Sequence, residues 1–239
     1  MRRGWWGQSV MGKGIPQEGL KAIAALSMLL DHGAAVLGGS PWLRICGRLA
    51  FPIYCFLLTE GVKYTGSPKR YLLRLLLLAL ISEPIYDWVL YPGAAPWQHQ
   101  NVLWTLALGC GMLLGMSKTS APEGKLLLVV LFAPVAQLMG ESYGSNGILT
   151  IALFALSAGQ TGQTPLRWLA LLGINWLMGS METSVLGWTI PIQPFAVLAM
   201  IPISLYSGEK RTASPVLAWG FYLFYPLHLV VLRCIKIFL

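Results

Sequence analysis

The sequence predicts an all-α fold, a polytopic transmembrane helical bundle of about nine spans, and three observations carry that prediction. First, 56% of the 239 residues are hydrophobic, only 11% are charged and mean hydropathy is +0.63. A water-soluble domain of this length cannot hide so much apolar surface. Second, stretches such as 72–81, 126–138, 148–156 and 197–205 carry almost no charge and extend through small or weakly polar residues towards bilayer length. Third, these stretches lack the strict alternation of a lipid-facing barrel strand, so the backbone must satisfy its hydrogen bonds within itself, as helix.

Taken in order, the elements begin with a basic start, Arg2, Arg3 and Lys13, followed by no small-residue cleavage site. The first apolar run, from Leu20, is therefore expected to be retained as a span. Candidate spans fall near 20–38, 44–62, 71–91, 101–117, 125–140, 145–159, 165–179, 189–207 and 215–236. Gly38-Gly39-Ser40-Pro41, Thr65-Gly66-Ser67-Pro68, Tyr91-Pro92-Gly93 and Ser207-Gly208-Glu209 punctuate them with turn-forming residues. Several are short enough to be tilted, re-entrant or merged. No linker separates a second domain, so 1–239 reads as a single integral-membrane domain.

Orientation follows from lysine and arginine, which short cytoplasmic loops retain. With the amino terminus inside, Arg2, Arg3, Lys13, Lys21, Lys63, Lys69, Arg70, Arg74, Lys118, Lys125, Arg167, Lys210 and Arg211 share the cytoplasmic side. Only Arg44, Arg48, Arg233 and Lys236 fall on the other. The net charge of +8 is thus mainly a topology signal, not a nucleic-acid footprint. Trp5, Trp6, Trp42, Trp88, Tyr91, Trp97 and Trp188 lie near span ends, as in an aromatic belt. Cys46, Cys55, Cys110 and Cys234 form no CxxC pair and no metal-ligand spacing.

Ionisable residues inside spans are costly and mark function or packing. Asp31 and His32 lie past the middle of the first span, and Arg44 and Arg48, one turn apart, begin the second at a similar depth. Glu83 and Asp87 share a face of the third span, Asn101 and Thr105 repeat that spacing on the fourth, and His228 lies past the middle of the last. Depth therefore gathers these groups into one layer, in which Arg48 is expected to meet Glu83 or Asp87, either as a packing ion pair or as part of a reaction site. A histidine beside a carboxylate, facing the proline-interrupted second span at Phe51-Pro52, suits a reaction site or a proton path. The basic turn of Lys63, Lys69, Arg70 and Arg74, near Glu60, serves either topology or an anionic ligand such as a nucleotide phosphate.

The ordered set of motifs resembles the TraX family. It comprises Leu20 to Ala24 with Met28-Leu29-Leu30-Asp31-His32-Gly33, Leu43 to Tyr54 with Glu60-Gly61, and Tyr71 to Arg74. It continues through Ile81-Ser82-Glu83-Pro84-Ile85-Tyr86-Asp87, Gln100-Asn101-Val102 with Thr105-Leu106, and Phe221 to Leu229. The resemblance implies a membrane-embedded acyltransferase of the bacterial inner membrane, whose best-known kind acetylates the amino terminus of a pilin subunit from acetyl-CoA. Relatives acylate sugars and other envelope molecules, so the acceptor stays open among small-molecule, peptide and glycan groups.

Fitted to that chemistry, His32 is the general base, with Asp31 or the Glu83 and Asp87 pair orienting it or holding an ammonium acceptor. Arg48 and Asn101 are candidates for the oxyanion, and His228 is the next candidate base. Lys63, Lys69, Arg70 and Arg74 would take the phosphates of CoA. A proton-coupled transporter would use the same buried groups as a relay, and a non-enzymatic membrane subunit would use them only for packing.

Overall fold

The computed structural model describes residues 14–95, 98–140, 142–158, 164–178, 182–185, 188–209 and 215–239. Arg2, Arg3, Lys13, Lys210 and Arg211, with Trp5, Trp6 and Trp97, lie outside the described residues. Among the described residues the fold is all-α, interrupted by one two-stranded hairpin and one 3-10 segment.

Helix α1 (Gln17–Leu37) starts after Pro16 and stops at Gly38, whose φ of 72° is left-handed backbone that glycine adopts without penalty. Its buried residues Leu20, Ala24, Ser27, Met28, Asp31 and Ala34 recur every three or four positions, so they form one face. That face is rich in small side chains, which let a neighbouring backbone approach. Helix α2 (Pro41–Gly47) opens with proline in its first turn and gives way at Arg48 to α3 (Ala50–Tyr64). The break has a local cause. Pro52 cannot donate to the carbonyl four residues back, at Arg48. The turn tightens instead, with Arg48 N donating to Ile45 O at 3.1 Å.

Helix α4 (Pro68–Leu90) also begins at a proline and contains Pro84. Helix α5 (Val102–Met116) is capped by Asn101, whose side-chain oxygen accepts from Leu103 N at 2.9 Å. Helices α6 (Pro122–Leu138), α7 (Gly144–Leu156) and α8 (Thr164–Leu177) follow. On α6, Leu126, Leu127, Val130 and Leu131 are all exposed, as a lipid-facing surface would be.

The expected runs fall on helices except at 189–207. There strands β1 (Glu182–Val185) and β2 (Trp188–Pro191) form an antiparallel hairpin with Glu182 opposite Pro191 and Val185 opposite Trp188. A 3-10 segment (Gln193–Ala199) and the short α9 (Met200–Ser204) complete the stretch. Pro191 and Pro194, three residues apart, each remove a helical donor, and the backbone there takes strand and 3-10 form in place of α-helix. The hydropathy window registers the apolar content and misses the broken backbone. Ile15 then pairs with this end of the chain, its N donating to Leu205 O at 2.7 Å. Helix α10 (Pro215–Phe238) closes the sequence.

Among the described residues, Gln17–Leu37, Pro41–Tyr64 and Trp219–Phe238 are long and apolar enough to cross a membrane. Helices α5 to α8 run 13 to 17 residues. At about 1.5 Å per residue they are shorter than a hydrocarbon core of about 30 Å. The chain divides into two compact units, Met1–Leu57 with Leu156–Phe224, and Leu58–Ala155 with Tyr225–Leu239.

Candidate active site

In the first unit the site grows from the contact between α1 and α2. Asp31 sits on the buried face of α1, opposite Gly47. A Cβ added to Gly47 would overlap the Asp31 side chain and come within 2.9 Å of its Cα, so only glycine lets the two helices meet at this level. That approach brings Asp31 between two guanidinium groups spaced by one turn. Arg44 Nε lies 3.2 Å from Asp31 Oδ1, and Arg48 Nη2 pairs closely with Oδ2.

Arg48 is the more deeply placed of the two, its side chain 6% exposed against 21% for Arg44. Its Nη1 donates to Gln193 Oε1 at 3.1 Å, and its Nε to the Arg44 carbonyl at 3.4 Å. Gln193 Nε2 donates in turn to Asn175 Oδ1 at 2.9 Å, and Asn175 Nδ2 to the Leu171 carbonyl at 2.8 Å. Asp31, Arg48, Gln193 and Asn175 are all buried. Buried charge is tolerated only when paired and hydrogen-bonded, and here the pairing extends over four side chains. His32 follows Asp31 on α1 and is half-buried. Arg48 thus pairs with Asp31, a carboxylate that the sequence reading did not assign to it. Positive charge beside Asp31 comes from its helical neighbour in sequence, which depth counting along single spans does not weigh.

The second unit holds Glu83, Asp87, Asn101 and His228. Glu83 Oε2 accepts from Asn101 N at 3.2 Å, from Trp104 Nε1 at 2.9 Å, and closely from Asn101 Nδ2. Asn101 Nδ2 also donates to Ala79 O at 3.0 Å. The Asn101 amide is therefore committed to Glu83, to α4 and to its own helix cap. Glu83 Oε1, Asp87 Oδ1 and Thr105 Oγ1 are buried with no hydrogen-bond partner among the described residues. His228, on α10, is buried and edge-on to Tyr225, ring centroids 5.8 Å apart. The buried Tyr86 hydroxyl shares a hydrogen bond of 3.0 Å with Ser142 Oγ, which donates to Gln100 O at 2.7 Å.

Lys63, Lys69, Arg70 and Arg74 are exposed around the turn from α3 to α4. Lys63 lies over the Tyr64 ring and Arg74 over the Tyr71 ring, at 5.1 and 5.6 Å. Tyr71 itself packs against Gly61, where an added Cβ would meet its ring at 2.9 Å. Arg167 is buried, unlike a loop residue, and donates to the Ser157 carbonyl just past α7.

Sequence reasoning missed Gln193, Asn175 and Trp104. The signal for Gln193 was present, an amide set among prolines in an apolar run (Ile190-Pro191-Ile192-Gln193-Pro194). Asn175 carried a weaker one, a lone amide in a leucine-rich helix.

Residues 16–236 match the protein family described as TraX protein. A curated relative, the "Probable fimbrial assembly protein FimC, serogroup H1" of Dichelobacter nodosus, is 31% identical over 237 residues. That alignment covers 92% of this chain and 95% of the relative. No solved structure matches.

Proposed function

The chain belongs to the TraX family, and on that premise we propose that it is an integral-membrane acetyltransferase. It moves an acetyl group from acetyl-CoA to an amine or hydroxyl acceptor at the cytoplasmic membrane of a bacterium. It crosses that membrane several times with its amino terminus in the cytoplasm. The observation that carries this reading is the Asp31 carboxylate, clamped by Arg44 and Arg48 directly beside His32 in an apolar helix. A charged constellation of this kind is expensive to keep in a span and is kept for chemistry.

In the proposed reaction the acceptor nitrogen or oxygen attacks the thioester carbonyl as His32 takes its proton. The new C–N or C–O bond forms, the C–S bond breaks, and CoA leaves as the thiolate, which takes up a proton. Asp31, fixed by two guanidinium groups, holds the orientation of the helix turn that carries His32. Glu83 and Asp87, in the second unit, each hold a buried carboxylate oxygen of their own. Asn101 serves here to hold Glu83, and the oxyanion role falls to a guanidinium of the Asp31 cluster. The exposed Lys63, Lys69, Arg70 and Arg74 suit the phosphates of CoA.

The relative's name, a probable fimbrial assembly protein, makes a pilin-like peptide with a free amino terminus the first acceptor to try. The test uses purified full-length protein, acetyl-labelled CoA, and panels of amino-terminal peptides and envelope glycans. The wild type should transfer label, and His32→Ala should lower transfer by about a hundredfold or more while CoA binding and folding persist. A folded His32→Ala protein with near-full transfer removes His32 from the chemistry.

A further inference from the structure

We propose that Gln193 and Asn175 are positioning residues that act on the reaction through Arg48, an inference that rests on the acetyltransferase reading. The hydrogen bonds run in one sense along the chain. Asn175 Nδ2 is committed to the Leu171 carbonyl at 2.8 Å, so its Oδ1 faces Gln193. Gln193 Nε2 donates to that oxygen at 2.9 Å, so Gln193 Oε1 is turned to Arg48 Nη1, 3.1 Å away. Were the Gln193 amide reversed, its NH₂ would confront the guanidinium. Asn175 therefore decides which end of Gln193 the arginine sees, and Gln193 decides where the arginine sits against Asp31.

Burial makes the arrangement rigid. Gln193 and Asn175 are each 3% exposed and Arg48 is 5% exposed, so water does not substitute for a lost partner at little cost. The backbone supplies an independent reason. Gln193 opens the 3-10 segment just after Pro191, where the expected span is broken. Irregular backbone within an apolar protein persists where it is enclosed by protein or serves a site. This break delivers the Gln193 amide to the cluster of Asp31, Arg48 and Asn175.

The experiment uses the full-length protein with two arms. In the first, kcat and KM are measured for Gln193→Met, Asn175→Leu and the double variant. Gln193→Met and Asn175→Leu should lower kcat about tenfold to a hundredfold, the scale of a small misplacement of a reacting group, with KM for acetyl-CoA unchanged. The double variant should lose no more kcat than Gln193→Met alone, because both side chains act through Arg48. A merely structural asparagine would add its own loss to that of Gln193.

The second arm needs no turnover. Modification of Arg48 by phenylglyoxal is followed at one pH by site-resolved mass spectrometry. Arg48 should react about tenfold faster in Gln193→Met and in Asn175→Leu than in wild type, the equivalent of one lost hydrogen bond to a charged group, with Arg70 unchanged in all three. Single losses of kcat that multiply in the double variant, or an unmoved Arg48 reactivity, overturn the relay. If the wild type transfers no acetyl group, the acetyltransferase reading falls and the Arg48 reactivity alone decides the relay.

Discussion

Replacing Arg48 by methionine isolates the contribution of the buried ion pair, because methionine keeps most of the volume and none of the charge. The side chain of Arg48 is 6% exposed and that of Asp31 is 13% exposed, so solvent screens their interaction little. After the change Asp31 retains only the Arg44 contact at 3.2 Å, and Gln193 Oε1 loses its donor. Breaking a buried pair from one side costs about 3–5 kcal/mol. For a chain of this length each kcal/mol corresponds to about 2–4 °C. The melting temperature of Arg48→Met should therefore fall by roughly 6–20 °C. The ten tryptophans make intrinsic fluorescence in detergent a direct assay. Adding Asp31→Asn removes the stranded charge, so the double variant should recover several degrees over Arg48→Met alone. An Arg48→Met protein as stable as wild type, or a double variant less stable than both single ones, would refute the view that this pair holds α1 to α2.

Gly47→Ala should cost about 1–3 kcal/mol by overpacking against Asp31. Gly173→Ala, where an added Cβ meets nothing within 4 Å, should be neutral or slightly stabilising, which thermal unfolding of the two side by side will check. Removing the charges of Lys69, Arg70 and Arg74 together should weaken CoA binding more at low salt than at high, as phosphate contacts require. Titration calorimetry showing unchanged affinity at both salt concentrations would leave that turn a topology determinant alone.

Helices were legible where one local rule dominates. The periodic small and apolar residues of α1, the Gly38 stop, and the proline starts of α2, α4 and α6 need no tertiary information. The stretch 189–207 was misread because hydropathy measures content and not backbone donors, and Pro191 and Pro194 outweigh the apolar side chains. Side-chain partners were the least accessible. The i to i+4 spacing of Arg44 and Arg48 showed that they share a face, but only the approach allowed by Gly47 makes Asp31 their partner. Neutral amides such as Gln193 and Asn175 cost less to bury than charges, and so they stand out less in a sequence although they fix the geometry around Arg48.

Two of the buried carboxylates, Asp31 and Glu83, are held by different physics. Asp31 is held by charge, with one guanidinium on each oxygen. Glu83 is held by neutral donors, all on Oε2 and supplied by Asn101 and Trp104. Those donors fix the rotation of the carboxyl group, and with it the place of Oε1, which is buried and has no hydrogen-bond partner among the described residues. Leaving such an acceptor unanswered costs about 1–3 kcal/mol. Asp31 is thus fixed by opposite charge within the first unit, and Glu83 by the geometry of its neutral donors within the second.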